Sequence, residues 1–241
     1  MLNRIKGKII RIANNFKTTI NFIVLQKKYK SHATSRRFNW DWKSVNYNRI
    51  ALVNLLVSLK GNKCNYLEIG CSGNGLFDSV FCSNKVGVDP QSGGTTRETS
   101  DVYFDSNKDK FDVIFIDGIH EYEQVKRDAV NALNSLNDGG WIAFHDFLPR
   151  DWKEQHVPMV QGTWTGDVWK LAFELIQSKD IDFKILEIDY GVCVMRPVAT
   201  NAKIVDLSDE LSFRQFDYLH KNIEKLPICS WEDGVKWILS S

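Results

Sequence analysis

No stretch of 18 or more apolar residues occurs in the 241-residue chain, the nearest approach being the short run from Ile20 to Leu25. Nothing in it therefore reads as a transmembrane helix. Proline is sparse, with 5 residues, and neither internal repeats nor low-complexity tracts occur, which sets aside fibrous and disordered classes. The five cysteines, Cys64, Cys71, Cys82, Cys193 and Cys229, are odd in number and form no CxxC pair. Mostly set in apolar, strand-like stretches, they read as reduced, buried thiols, and the expected location is the cytoplasm. The N-terminal stretch lacks an uninterrupted apolar segment followed by a small-residue cleavage site, so a secretory signal is not expected and the whole chain reads as mature.

Acid is missing before Asp41. Residues 1–40 carry ten Lys or Arg and no acid, while the remaining 201 carry 21 bases against 30 acids, an asymmetry that the net charge of +1 conceals. The expected organisation is a basic N-terminal arm, 1–40, followed by one domain, 41–241. The arm shows no recognition-motif spacing, so nucleic acid is not an expected partner. Its interspersed Ile, Phe and Leu suit weak, peripheral contact with an anionic membrane surface, and a solvated charged face is the plainer reading. Oligomeric state is left open.

What is present is a globular composition, 43% hydrophobic and 25% charged, and an alternation of helical and strand patterns. Val45 to Lys60 has Ile50, Val53, Leu55, Leu56 and Leu59 at helical spacing and stops at Gly61-Asn62. The pattern then predicts a strand over Asn65 to Gly70, a helix over Leu76 to Cys82, and strands over Lys85 to Val88 and Phe111 to Ile116. A helix over Glu121 to Leu136 follows, broken by Asp138-Gly139-Gly140 before a strand from Trp141 to Phe144. Phe147 to about Thr165 is a long connection of the kind that usually serves as a substrate loop. Beyond it come a helix over Gly166 to Lys179, a hairpin of Phe183 to Ile188 and Val192 to Arg196 turning at Asp189-Tyr190-Gly191, and a helix from Ser208 to Lys225. Strands separated by helices imply an α/β fold with a doubly wound, mostly parallel sheet that ends in an antiparallel C-terminal hairpin.

In such a sheet, ligands bind beyond the carboxyl ends of the strands. The first strand runs into Glu68-Ile69-Gly70-Cys71-Ser72-Gly73-Asn74-Gly75, whose small residues let a ligand approach the backbone. The second ends at Asp89, placed to accept the two hydroxyls of a ribose. The spacing G-x-x-G-x-G is not the dinucleotide fingerprint, and a strand acid two residues before the first Gly favours S-adenosylmethionine over a nicotinamide cofactor. An ordinary tight turn with Asp89 as a cap is the competing explanation. This stretch resembles the first motif of class I methyltransferases, acid-x-Gly-x-Gly-x-Gly, with Ser72 and Asn74 at the later glycine positions. Asn tolerates a left-handed backbone, so the turn is expected to survive.

Two further strands, taken as the fourth and fifth, end in Asp117-Gly118-Ile119-His120 and His145-Asp146. Asp117, Asp146 and His145 offer hard oxygen and borderline nitrogen donors to a divalent cation, Mg²⁺ or Mn²⁺, leaving positions for two adjacent substrate hydroxyls. His120 is suited to take a proton from one of them. Each carboxylate alone would read as a helix cap and each histidine as a loop residue; it is their coincidence at neighbouring strand ends that points to a site. In the following loop and helix, Trp164 is a candidate to stack on a sugar ring and Asp167 to hold hydroxyls. Arg150, Asp151 and His156 are weaker substrate candidates, and Trp169 reads as core.

The stretch from Phe111 to Pro149, above all IDGIHEYE and FHD, resembles the methyltransferase family that includes macrolide-sugar O-methyltransferases and enzymes encoded beside glycan biosynthesis genes; the likeness extends over about Asn65 to Arg196. The resemblance implies a Rossmann-like, seven-stranded sheet and methyl transfer from S-adenosylmethionine to a hydroxyl of a small-molecule, sugar or glycan acceptor. It implies cofactor contacts from Glu68, Gly70, Ser72, Gly73, Gly75, Asp89, Ser100, Asp101 and Asp117, metal ligation by Asp117 and Asp146 with His145 where a relative has an acid, and a general base at His120. The alternatives are metal-independent transfer to an amine or other small acceptor, and a binding protein that keeps the fold without turnover.

Overall fold

The computed structural model describes residues 17–42 and 44–241. Among these, one sheet holds seven strands in the order β2-β1-β3-β4-β6-β5-β7. They are β1 (Asn65–Ile69), β2 (Asn84–Val88), β3 (Phe111–Ile116), β4 (Leu136–Phe144), β5 (Ile181–Leu186), β6 (Val192–Pro197) and β7 (Ile228–Cys229). β1 pairs in parallel with β2 and β3, and β3 with β4; β6 runs antiparallel to both β4 and β5, and β7 parallel to β5. This is a Rossmann-like, doubly wound sheet with an antiparallel C-terminal hairpin.

The count of seven is reached by an unexpected route. Between Asp89 and Lys110 the chain forms only an isolated bridge from Val88 to Thr96 and helix α3 (Ser100–Ser106). Phe111–Ile116 is thus the third strand along the chain, not the fourth, and the seventh is the two-residue β7, for which the sequence carries no strand pattern.

Period-two alternation sorts the strand residues into two cores. Leu67, Ile69, Ile114, Ile116, Ile142 and Phe144 share one cluster with Val125, Ala129 and Ala132 of α4 (Tyr122–Asn134) and Leu171 and Leu175 of α6 (Lys170–Gln177). Tyr66, Val113, Phe115, Trp141 and Ala143 meet Leu52, Val53, Leu56 and Val57 of α2 (Arg49–Lys60) and Ile238 of α9 (Trp231–Leu239) on the other face. The strand ends, held from both sides, form a rigid platform.

Several boundaries move for identifiable reasons. α2 starts at Arg49 rather than Val45 because the Asn48 side chain accepts from the amides of Ile50 and Ala51, a cap worth about 1 kcal/mol. The helix expected over Leu76 to Cys82 is a single 3-10 turn, Phe77–Ser79. Asn54 of α2 intercepts it, donating to the Ser79 carbonyl and accepting from the Phe81 amide. β4 already begins at Leu136, so Asp138-Gly139-Gly140 lies inside the strand, beside a register shift against β3. The C-terminal helix is split into α7 (Ser208–Leu211) and α8 (Phe216–Asn222), where Ser212 turns aside to accept from Lys170 and donate to Glu123. The long connection contains a short helix, α5 (Trp152–Gln155), capped by Asp151.

Of the basic arm, residues 1–16 lie outside the described residues. Residues 17–28 form helix α1. No described helix is long and apolar enough to cross a membrane. All five cysteines are free, with Cys64, Cys71 and Cys193 buried.

Candidate active site

A cleft of about 920 Å³ opens over the carboxyl ends of β1, β2, β3 and β4, where the strand order reverses on either side of β1. Gly70 makes this crossing tight. Its φ is +87°, and a Cβ there would lie 2.0 Å from the Asp117 carbonyl oxygen, so the ends of β1 and β3 touch through backbone. Ser72 and Asn74 take the left-handed conformation that the motif's glycines would otherwise supply, with φ of 48° and 63°. The Asn74 side chain secures the turn by accepting from the Gly94 amide at 2.6 Å.

At one end of the cleft, Asp89 accepts three backbone amides, from Gln91 and Ser92 on Oδ1 and from Ser72 on Oδ2, all at 2.8 Å. Burial works against its charge, yet these amides and Arg97 hold its carboxyl below the usual carboxylate range. Its Oδ2 carries a single amide and keeps acceptor capacity toward the cleft. Ser100 and Asp101, at the start of α3, line the same end and both accept from Gln124.

At the other end, two carboxylates and two imidazoles form a closed square. His120 lies 3.4 Å from Asp117 and 3.1 Å from Asp146, and His145 lies 3.4 Å and 3.2 Å from the same two residues. Asp146 reaches this position through a left-handed backbone, φ 68°, which for a non-glycine residue marks a constrained site. Burial pulls both imidazoles down, but the Asp117 and Asp146 carboxylates outweigh it and hold both above the ordinary histidine value. Burial likewise opposes the charge of Asp117, whose carboxyl the two histidines hold far below its usual range.

Among the described residues, Asp117, His120 and Asp146 each present a ligand-type atom within 4.8 Å of the others. The two carboxylate oxygens facing a cleft suit a hard divalent cation, so the donor chemistry fits one, with the His120 imidazole beside it. The set differs from the expected one. The Nε2 of His145 is taken by the Arg49 guanidinium at 2.6 Å and its Nδ1 faces the two carboxylates, which makes it a support for the aspartates where a ligand was expected.

Other expected contacts also turn elsewhere. Glu68 is 1% exposed, on the α2 side of β1, and accepts from the Tyr66 hydroxyl at 2.6 Å; it does not line the cleft. Gly73 and Gly75 lie beyond the lining, which takes Gly70 and Ser72 from this turn. Asp167 is occupied structurally, one oxygen accepting from the Tyr122 amide and the other from the buried Lys170 ammonium, both at 2.7 Å. Arg150 pairs with Glu154, Asp151 caps α5, and His156 is fully buried, so none of the three faces the cleft. Trp169 is core. Trp164 does line the cleft, stacked on His120.

Sequence reasoning missed Arg49 and Tyr190. Arg49 enters at the start of α2, donates to Asp189 at 3.1 Å and to His145, and thereby ties the helix to the β5–β6 turn. Tyr190, with φ 64°, lines the cleft from that turn. The Asp-Tyr-Gly sequence signals a turn, and nothing in it signals a cleft wall.

Residues 84–147 match a family model described as a methyltransferase domain, a segment that includes Asp89, Asp117, His120, His145 and Asp146. No curated protein is significantly similar to the chain. Among solved structures, the chain is similar to the methyltransferase PaMTH1 of Podospora anserina bound to S-adenosylhomocysteine, at 12% identity and TM-score 0.45, over 72% of this chain and 95% of that one. It is similar to an O-methyltransferase from Bacillus cereus in complex with S-adenosylhomocysteine, at 16% identity and TM-score 0.45, over 74% and 89%. The MycE methyltransferase of the mycinamycin biosynthetic pathway, in complex with Mg, S-adenosylhomocysteine and mycinamycin VI, aligns at 14% identity and TM-score 0.43 over 65% of this chain and half of its own length. The segment that holds Asp89, Asp117, His120, His145 and Asp146 is thus similar to a methyltransferase domain, and it lies in a Rossmann-like sheet.

Proposed function

We propose that the protein methylates a hydroxyl of a small-molecule acceptor of the sugar or glycan class, assisted by Mg²⁺ or Mn²⁺ at Asp117 and Asp146, with His120 as the general base. The observation that carries this reading is the square of Asp117, His120, His145 and Asp146 in the same cleft as Asp89 and the Ser72 turn. Gly70, Ser72, Asp89, Ser100, Asp101 and Asp117 are the residues proposed to face the cofactor. S-adenosylmethionine bound there would supply an electrophilic methyl group for the acceptor oxygen, its sulfur keeping the electron pair of the bond that breaks.

The chain's own residues then have distinct tasks. His120 has the more accessible side chain, 25% exposed against 7% for His145, so it is the imidazole an acceptor can reach. It takes the hydroxyl proton. His145 and Arg49 brace the carboxylates, and Trp164 offers an aromatic face to the acceptor while closing over His120. A divalent cation held at Asp117 and Asp146 would supply charge that lowers the hydroxyl pKa and orients neighbouring oxygens. The Asp117 and Asp146 carboxylates raise the proton affinity of His120, and a cation held there would take up their negative charge and leave the imidazole neutral, the form that accepts a proton.

Calorimetry with S-adenosylhomocysteine, with and without Mg²⁺ or Mn²⁺ and after chelation, tests the reading, followed by methyl transfer to a panel of nucleotide sugars and glycans. Binding of the product cofactor and turnover that chelation abolishes are the expected results. Absence of cofactor binding overturns the reading, and turnover that survives chelation replaces it with metal-independent transfer by the imidazole–carboxylate square.

A further inference from the structure

We propose that helix α1 docks on an anionic lipid bilayer and so holds the cleft near the lipid surface. The helix has two faces. Phe22, Leu25, Gln26 and Tyr29 turn toward the body and are half-buried; Leu25 and Tyr29 pack on the main core, and the Gln26 side chain donates to the Val160 carbonyl at 2.8 Å. The helical period places Ile20, Ile23 and Val24 on the opposite side, exposed by 46%, 48% and 56%. Lys17, Lys27 and Lys28, all exposed, border that strip.

Three branched aliphatic side chains at i, i+3 and i+4 make one contiguous apolar patch, and its surroundings choose the occupant. Every charged residue up to Asp41 is basic, which complements lipid phosphates while the aliphatic strip enters the acyl boundary. Two copies of this chain meeting through the patch would oppose their own lysines. A nucleic acid would find no use for the aliphatic strip, which occupies the centre of the face.

The location adds a second observation. Val160, to which α1 is hydrogen-bonded, lies in the loop whose Gly162, Thr163 and Trp164 line the cleft, and the neighbouring Met159 is itself 39% exposed. Seating α1 on a bilayer therefore holds the loop side of the cleft about one helix diameter from the lipid headgroups. Docking stands independently of the methyl-transfer reading; its consequence, that acceptors held at a lipid–water interface are within reach, rests on that reading.

The test is co-sedimentation of the full chain with vesicles of phosphatidylcholine alone and of phosphatidylcholine mixed with phosphatidylglycerol. Binding to the anionic vesicles only is expected. Two triple variants, Ile20→Ser/Ile23→Ser/Val24→Ser and Lys17→Gln/Lys27→Gln/Lys28→Gln, should each weaken it by about tenfold or more, with S-adenosylhomocysteine binding and circular dichroism unchanged. Equal affinity for both vesicle types, no binding to either, undiminished binding by the aliphatic variant, or a wild-type dimer that this variant dissociates would each overturn the proposal. Cofactor binding is read in the same preparations, so loss of docking and loss of the methyl-transfer reading are told apart.

Discussion

His120 and Trp164 lie face to face, with ring centres 5.1 Å apart and planes inclined by 21°, and the His120 Nδ1 is 3.2 Å from the Trp164 carbonyl oxygen. The indole is anchored in turn, its Nε1 donating to the His156 carbonyl at 2.8 Å, and the His156 ring meets His32 of the N-terminal segment at 3.0 Å. Removing the indole frees the imidazole. Trp164→Ala is expected to lower kcat by roughly tenfold to a hundredfold through lost positioning, with S-adenosylhomocysteine affinity nearly unchanged and most of the rate restored in Trp164→Phe. Steady-state kinetics beside calorimetry checks this, and a parallel loss of cofactor affinity would move Trp164 to the cofactor's side of the cleft.

His120→Ala and Asp89→Ala should separate the two ends of the cleft. The first is expected to bind S-adenosylhomocysteine normally and lose a hundredfold or more of its turnover, roughly the worth of a general base. The second removes the acceptor of three amides and should raise the cofactor KM while leaving kcat near normal at saturation. Equal losses of cofactor affinity in both variants would sink this division.

Glu68 gives the chain a pH-dependent liability. Burial pushes its carboxyl from 4.5 up to about 7, against the opposing hydrogen bond from Tyr66. Because the folded state holds the proton more tightly than the unfolded one, the contribution to stability is fully present below pH 4.5 and is lost as pH rises through about 7. At about 1.4 kcal/mol per unit, the loss approaches roughly 3 kcal/mol at alkaline pH. Glu68→Gln keeps an acceptor for the Tyr66 hydroxyl and should be the more stable protein at pH 8 but not at pH 4.5. Urea denaturation at the two pH values measures it; an equal difference at both would remove Glu68 as the cause.

Arg49→Ala takes away the donor shared by His145 and Asp189. The expected outcome is a fall in turnover of about tenfold together with about 1 kcal/mol of stability, since the partly exposed Asp189 carboxylate loses its charged partner. Arg49→Lys, a point charge without the planar fork, should recover stability better than rate. Wild-type kinetics in the Ala variant would confine Arg49 to a structural tie.

The parallel half of the sheet was legible because Val113–Ile116 and Trp141–Phe144 are apolar runs that end at Asp117 and at His145-Asp146, and Val88 runs likewise into Asp89. Asp89, Asp117, His120 and Asp146 could be picked out on that basis alone. Arg49 could not, since it precedes His145 by 96 residues and only the packing of α2 on the sheet brings the two together. Asp167 misled for a related reason: a lone carboxylate beside tryptophans resembles a sugar contact until the buried Lys170 that claims it is seen. The lost helix after Gly75 shows the same limit, because a tertiary bond from Asn54 overrode a local helical pattern.

The placement of β6 between β4 and β5 also sets an order of events at the ribosome. His145 and Asp146 are synthesised well before Asp189, Tyr190 and the strand Val192–Pro197 that closes the open edge of β4. During that interval the nascent chain presents an unpaired strand edge, the part of a sheet most prone to pair with a neighbouring chain. A chain terminated before Val192 is therefore a source of aggregation and not a weakened enzyme, and shielding of the growing chain matters most across those few dozen residues.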